Sequence, residues 1–382
     1  MKTIRNLIYL LLIPALFHTA AQAAEPGIPM LTLGHVGHDH QIALYVAADQ
    51  GRALEGPYGV YLNPLKDREV YELVDGGKVV ARVQMIKVEG GSGMPAAMER
   101  GDIEMGLGGL GPVAKFVDKG APLKILAPLN NDGDSLILRN DFPADSWDSF
   151  MAAVRKSEKP VRIGYKAPMA VAYMILTKAL AEENITFGND PAGKDGKPVQ
   201  VITVNLQGAE NIGASVESGI VDAVVLNEPE GTLIVHKGLA KRAADLSSLP
   251  PRGKWEGHPC CVVAATEKAL KEKPDAVRSL LRAIIAGADV MAMNPQAALA
   301  AESRWTKTPP EVGRKSIASV NYVIRPDTQW QKAVDTWLDL MLSMNRFDKN
   351  FKDRKASEIR GKLLDLGPAN DALSGMKLNS GK

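Results

Sequence analysis

A short pattern occurs twice in this chain and constrains its fold more than any other feature. Met98-Glu99-Arg100-Gly101-Asp102-Ile103-Glu104-Met105 reads apolar, Glu, any residue, Gly, any residue, β-branched, acid, apolar. Val216-Glu217-Ser218-Gly219-Ile220-Val221-Asp222-Ala223 reads the same way. Each copy ends a helical pattern, turns on a glycine and enters an apolar run, Met105 to Leu110 and Ala223 to Leu226. Each run breaks on small or polar residues, Gly108-Gly109-Leu110-Gly111-Pro112 and Asn227-Glu228-Pro229. A helix, a glycine turn and a strand buried on both faces form half of a βαβ unit. Two copies predict two similar α/β lobes. Open parallel sheets bind ligands outside the carboxyl ends of their strands, so facing lobes would form a cleft there.

The first residues read as a secretion signal. Lys2 and Arg5 supply positive charge, Leu7 to Phe17 is an apolar run too short to span a bilayer, and Ala21-Gln22-Ala23 fits an A-x-A cleavage site. The mature chain is expected to start at Ala24, without a lipid anchor, in the periplasm. Lys plus Arg number 46 against 44 for Asp plus Glu, a balance that argues against nucleic acid as the partner. Aromatic residues are only 5%, which argues against a carbohydrate site built on stacked rings. The two cysteines, Cys260 and Cys261, are adjacent. Neighbouring Cα atoms sit about 3.8 Å apart, below the usual disulfide range, so a strained vicinal disulfide and two reduced, partly buried thiols both stay open.

Periodicity and turn residues predict the remaining elements. Strands are expected at Leu31 to Gly34, Tyr58 to Leu62, Val79 to Val88, Leu123 to Leu129, Ser135 to Leu138, Val161 to Gly164, Val199 to Asn205 and Cys261 to Ala265. Helices are expected at Ile42 to Gln50, Ala167 to Glu182, Pro274 to Met293 and Thr328 to Met344, with a hairpin or surface loop over Asp67 to Lys78. The expected organisation is a signal peptide over 1–23, a first part of lobe 1 over 24–129 and lobe 2 over 130–256. The chain then returns to lobe 1 with C-terminal helices over 257–345, and a surface tail covers 346–382. The chain is expected to cross between lobes near Asn130 to Asp134 and to cross back at the cysteine strand.

With these elements in place, the chain resembles the periplasmic substrate-binding proteins of ABC transporters, in the nitrate, sulfonate, taurine and thiamine-precursor family. The resemblance is carried by Gly37 to Gly51 with its Ala43-Leu44-Tyr45-Val46-Ala47-Ala48 helix, Gly91-Ser92, and the Gly101 to Gly109 turn and strand. It continues through Val221-Asp222-Ala223 with Glu228-Pro229 and the helix Lys273-Pro274-Asp275 to Asn294-Pro295. It implies a two-lobed, type II-like α/β binding-protein fold with a two-strand hinge. It also implies a small-molecule ligand between the lobes and docking on an ABC permease. The chain is further expected to be a monomer, to hold no cofactor and not to be an enzyme. Two segments depart from the family pattern: His35, His38 and His40 in the loop after the first strand, and His258-Pro259-Cys260-Cys261 on the return strand.

Strand ends and helix starts supply the candidate ligand-binding residues: His38, Asp39, His40, Gly91, Ser92, Gly109, Asp134, Ala167, Met169, Asn227, Glu228 and Cys260. Gly90 to Gly93 can present backbone N–H groups and the Ser92 hydroxyl to an anion, or can be a plain helix entry. Glu228, Asp39, Asp132 and Asp134 favour a cation, an amine or an amidine-like ring if they face the ligand. The three histidines His35, His38 and His40 with His258, Cys260 and Cys261 could make a transition-metal site, with His38, His40, His258 and Cys260 the candidate ligands. Alternatively they form a polar wall for an organic ligand, with His35 a satisfied core residue. The expected ligand is a small organic nitrogen compound or a sulfonate or oxyanion; metal or metal-chelate binding and a sensory receptor on the same scaffold are the alternatives. A hydrolase is disfavoured, since no G-x-S-x-G elbow occurs.

Overall fold

The two copies of the repeated pattern lead into two different sheets. The computed structural model describes residues 27–88, 90–193 and 196–376, without the side chains of 90–92, so the expected signal peptide lies outside the described residues. In chain order the strands are β1 (Met30–His35), β2 (Val60–Lys66), β3 (Val70–Asp75), β4 (Lys78–Lys87), β5 (Met105–Gly109), β6 (Leu123–Asp132) and β7 (Asp134–Arg139). There follow β8 (Val161–Tyr165), β9 (Phe187–Gly188), β10 (Val201–Asn205), β11 (Ala223–Asn227), β12 (Ala240–Asp245), β13 (Pro259–Thr266) and β14 (Val320–Asn321). The eight-stranded sheet runs β14-β6-β13-β5-β1-β4-β3-β2, and the six-stranded sheet runs β12-β7-β11-β8-β10-β9.

The repeat has a physical reason. Gly101 and Gly219 take φ of 84° and 68°, the left-handed backbone that ends each helix. The acid of each copy then ties the new strand to its parallel neighbour. Glu104 Oε2 accepts from the Thr32 N–H at 3.2 Å beside β1, and Asp222 Oδ2 accepts from the Arg162 N–H at 2.9 Å on β8. Each carboxylate is also ion-paired, Glu104 with Lys273 at 2.5 Å and Asp222 with Arg162 at 2.9 Å. The two apolar runs become β5 and β11, each central and buried in its sheet.

The chain leaves the first sheet between β6 and β7 at Gly133 and re-enters it at β13. Gly133 has φ of 84°, and a Cβ there would lie 2.7 Å from Val320 and 2.8 Å from His40 Nε2, so only glycine fits the crossing. β13 is buried at all eight positions and pairs antiparallel with both β5 and β6.

Of the two forms expected for 67–78, the hairpin is the one present: the segment contributes β3, fully paired in an antiparallel meander with β2 and β4. Two other elements differ from expectation. The helix expected from Ala167 begins at Val171, because Ala167 to Ala170 close a turn of their own, the Ala170 N–H donating to the Ala167 carbonyl at 3.0 Å. The expected surface tail instead packs. Helices Ala356–Leu363 and Gly367–Ser374 bury Ile359, Leu363, Ala369 and Ala372, and Leu364 bridges to Ile125 of β6. The spacing of these few apolar residues is too sparse for a period to show in sequence.

Helix Ile42–Gln50 is buried at seven of its nine residues and crosses helix Pro274–Met293 at Gly287. A Cβ on Gly287 would collide with the Ala43 carbonyl oxygen and lie 2.9 Å from Ala47 N, contacts with backbone that cannot swing aside. Gly287→Ala should therefore destabilise the protein by about 1–3 kcal/mol. Gly361→Ala, in a helix with nothing within 4 Å of the added methyl, should stabilise it by roughly 0.5–1 kcal/mol. Chemical denaturation of both variants checks the contrast; equal shifts would contradict this packing.

Candidate functional site

A cavity lies where the two sheets face each other. It is walled by the carboxyl ends of the parallel strands β1, β5, β8 and β11 and by the starts of β7 and β13. It encloses about 70 Å³, space for roughly five water-sized groups. Of the residues expected from sequence, His38, His40, Gly109, Asp134, Ala167, Met169, Asn227 and Cys260 line it together. Most of the remaining wall is apolar, including Val36, Pro112, Val171 and Leu226. Cys261, a candidate metal-site residue, also lines it, and so does Lys166, which was not expected. Lys166 directly follows β8, so a cation at a strand end was the signal that could have found it.

The histidine loop is held rigidly. Gln41 Oε1 accepts from the N–H groups of Val36 and Gly37 at 2.8 and 3.2 Å, while Gln41 Nε2 donates to the Leu107 carbonyl on β5 at 2.7 Å. Tyr45 donates to the same Oε1 at 3.2 Å, and its hydroxyl lies 3.1 Å from His35 Nδ1. His35 is thus a satisfied residue of the strand end, and burial, with Lys87 nearby, lowers its pKa to about 4. His38 Nδ1 accepts from the His40 N–H at 3.3 Å. Burial and the neighbouring His40 and Lys166 hold His38 well below its usual pKa, so it is neutral and keeps Nε2–H as a donor.

His40 is fully buried with both thiols on one side. Its Nδ1 lies 3.4 Å from Cys260 Sγ and 3.8 Å from Cys261 Sγ, and the sulfurs are 3.9 Å apart and unbonded. Burial opposes the charged imidazole, but Cys261 and Asp39 outweigh it and push His40 up to about 9. The contact between the two thiols, together with His40, lowers Cys261 to about 6, whereas the same contact and burial push Cys260 up.

Three expectations are corrected by position, those for Glu228, Asp39 and His258. Glu228 is fully buried, ion-paired with Arg242, and accepts the Thr232 N–H at 3.0 Å. It anchors helix Glu230–His236 and does not reach the cavity. Asp39 lies beneath the wall, with both carboxylate oxygens buried and unpartnered, and burial pushes its carboxyl well above the usual range. His258 does not join His40 and the cysteines; its Nδ1 is 3.2 Å from Asp132 and its Nε2 3.1 Å from Asp134. Gly91 and Ser92 fall in the first turn of helix Gly90–Arg100, with their side chains outside the described residues. Asn227 instead accepts from Lys166 Nζ at 3.0 Å, placing a cation in the wall.

Residues 28–306 match the NMT1-like family, and the chain belongs to that family. An uncharacterised protein of Methanocaldococcus jannaschii is 35% identical over 144 residues, which are 37% of this chain and 99% of that protein. Among solved structures, the periplasmic nitrate-binding protein of Synechocystis superposes with a TM-score of 0.69 at 16% identity, over 94% of this chain and 91% of that one. The zinc-bound ligand-binding component of an ABC-type import system from Staphylococcus aureus gives 0.66 at 13% identity, over 90% and 99%. The fold is the two-lobed α/β fold of periplasmic binding proteins, as the sequence resemblance implied.

His258 gives this region a pH signature. Burial opposes its charge, but Asp132 and Asp134 outweigh burial and raise its pKa to about 9, above the unfolded value of about 6.5. A raised pKa stabilises the fold fully below about pH 6.5, and that contribution is lost as pH rises through about 9. The stability gap between wild type and His258→Ala should be on the order of 3 kcal/mol near pH 6 and shrink above pH 9. Urea titrations across this range measure it; a gap independent of pH would contradict the assignment.

Proposed function

We propose that this member of the NMT1-like family is an extracytoplasmic solute-binding protein. It captures a small molecule between its two lobes and delivers it to an ABC permease, without chemical turnover. The observation that carries this reading is the position of the cavity. Both sheets aim the carboxyl ends of their parallel strands into it, which is where open α/β sheets bind ligands. The likeness to periplasmic binding proteins supports the same reading, and the A-x-A leader supports export to the periplasm.

The wall describes the cargo. Apolar side chains dominate, so the ligand presents an apolar body. Lys166, with Asn227 beside it, offers a cation for an oxygen-rich group. Asp134 is a carboxylate, and neutral His38 supplies a donor. A small organic nitrogen compound, including one that also carries a carboxylate or sulfonate, matches this set. The domains act as two bodies, 24–129 with 257–345 against 130–256, joined at the two crossings.

Native mass spectrometry of protein taken from the periplasm should show one retained small molecule, released unchanged on denaturation. Lys166→Ala should weaken its retention by roughly tenfold, the loss of one charge-assisted hydrogen bond of about 1.5 kcal/mol. A ligand recovered in altered form would contradict a binding role, and unchanged retention in the variant would remove Lys166 from the contact set.

A further inference from the structure

Adjacent residues of a regular strand send their side chains to opposite faces. Cys260 and Cys261 do not. Their sulfurs stand 3.9 Å apart, and both approach the same ring nitrogen of His40. The cause is an irregularity where β13 pairs with β6. The register shifts between Pro259 and Cys261 and again between Cys261 and Val262. Such bulges re-aim side chains and are common beside functional sites. Here the bulge turns both thiols onto one imidazole at the cavity wall.

The resulting triangle has the size of a metal site. Bonds of about 2.3 Å to sulfur and about 2.05 Å to nitrogen at tetrahedral angles require edges of about 3.8 Å between sulfurs and about 3.6 Å between sulfur and nitrogen. The observed edges are 3.9 Å between sulfurs and 3.4 and 3.8 Å to His40 Nδ1. A disulfide, by contrast, needs about 2.05 Å. A second observation points the same way. His40 Nε2 and both Asp39 oxygens are buried and without hydrogen-bond partners, and Asp39 Oδ1 lies 3.9 Å from that nitrogen. A carboxylate hydrogen-bonded to the far nitrogen of a ligating histidine is the usual support for metal-bound imidazole, and Asp39 is the group placed to make that bond when a metal takes Nδ1. All three ligand residues line the cavity, so a fourth coordination position would open into it.

We propose that His40 Nδ1 and the thiolates of Cys260 and Cys261 bind one zinc-class ion whose fourth position faces the cavity. Three protein ligands and an open position suit tetrahedral zinc, and two thiolates select it over harder cations. A nitrogen or oxygen of the captured solute completes the shell; that last role alone rests on the solute-binding reading.

Chelator-stripped, reduced protein is titrated with zinc against a chromophoric chelator, and separately with cobalt(II). The expected result is one site of sub-micromolar affinity and a cobalt complex with thiolate-to-metal charge-transfer absorption and tetrahedral band intensity. Cys260→Ser with Cys261→Ser should weaken zinc by at least a hundredfold and abolish the charge-transfer band. Asp39→Asn should weaken it about tenfold, and His236→Ala, removing the half-exposed histidine on helix Glu230–His236, should leave it unchanged. Wild-type affinity equal to that of the double variant, or a cobalt spectrum without sulfur bands, would overturn the proposal. Should the double variant fail to fold, the wild-type cobalt spectrum decides alone. Failure here leaves the retained organic molecule in native mass spectra untouched, so the two readings fall separately.

Discussion

The imidazole of His258 stands where both passages of the chain between the sheets meet. One nitrogen faces Asp132, the last residue of β6, and the other faces Asp134, the first of β7. His258 itself immediately precedes β13, the return strand. One buried cation therefore holds the outgoing and returning segments together on either side of Gly133. Truncating one member of such a buried set would leave uncompensated charge, typically costing about 3–5 kcal/mol. The same contact fixes Asp134, whose carboxylate is the acidic element of the cavity wall.

The cavity follows from this joint. Once the crossings are fixed, the carboxyl ends of β1 and β5 oppose those of β8 and β11, and the small residues at those ends leave room between them. Gly108, Gly109 and Ala167 keep the walls apart without filling the gap. The polar groups are few and separately held: Lys166 by Asn227, Asp134 by His258, His38 by the backbone of its own loop. A wall of fixed polar points on an apolar surface selects a ligand by placement more than by total charge.

Much of this was legible in the sequence where the controlling interaction is local. The glycine turns, the apolar runs after them and helix Pro274–Met293 follow from short-range rules, and the helix bounds match those expected. Strand ends pointed to His38, His40, Gly109 and Asn227 because position along a parallel strand predicts the binding edge. What stayed hidden depends on distant partners or irregular backbone. Glu228 reads as an exposed acid at a strand end until Arg242, on β12, is folded against it. Cys261 should face away from Cys260 by strand alternation, and only the bulge against β6 reverses it. His258 shares a motif with the cysteines but turns toward two aspartates that lie across the crossing.

The central claim is that the two sheets are separate bodies that close on a solute about the joint at Asp132 to Asp134 and His258. Small-angle X-ray scattering on solute-loaded protein from the periplasm, and on the same protein refolded free of solute, tests it most directly. Loading is verified by native mass spectrometry on the same samples. The account predicts a smaller radius of gyration for the loaded form, restored to the larger value when solute is removed. An identical radius in both, with loading verified, would contradict a hinged capture of ligand between the lobes.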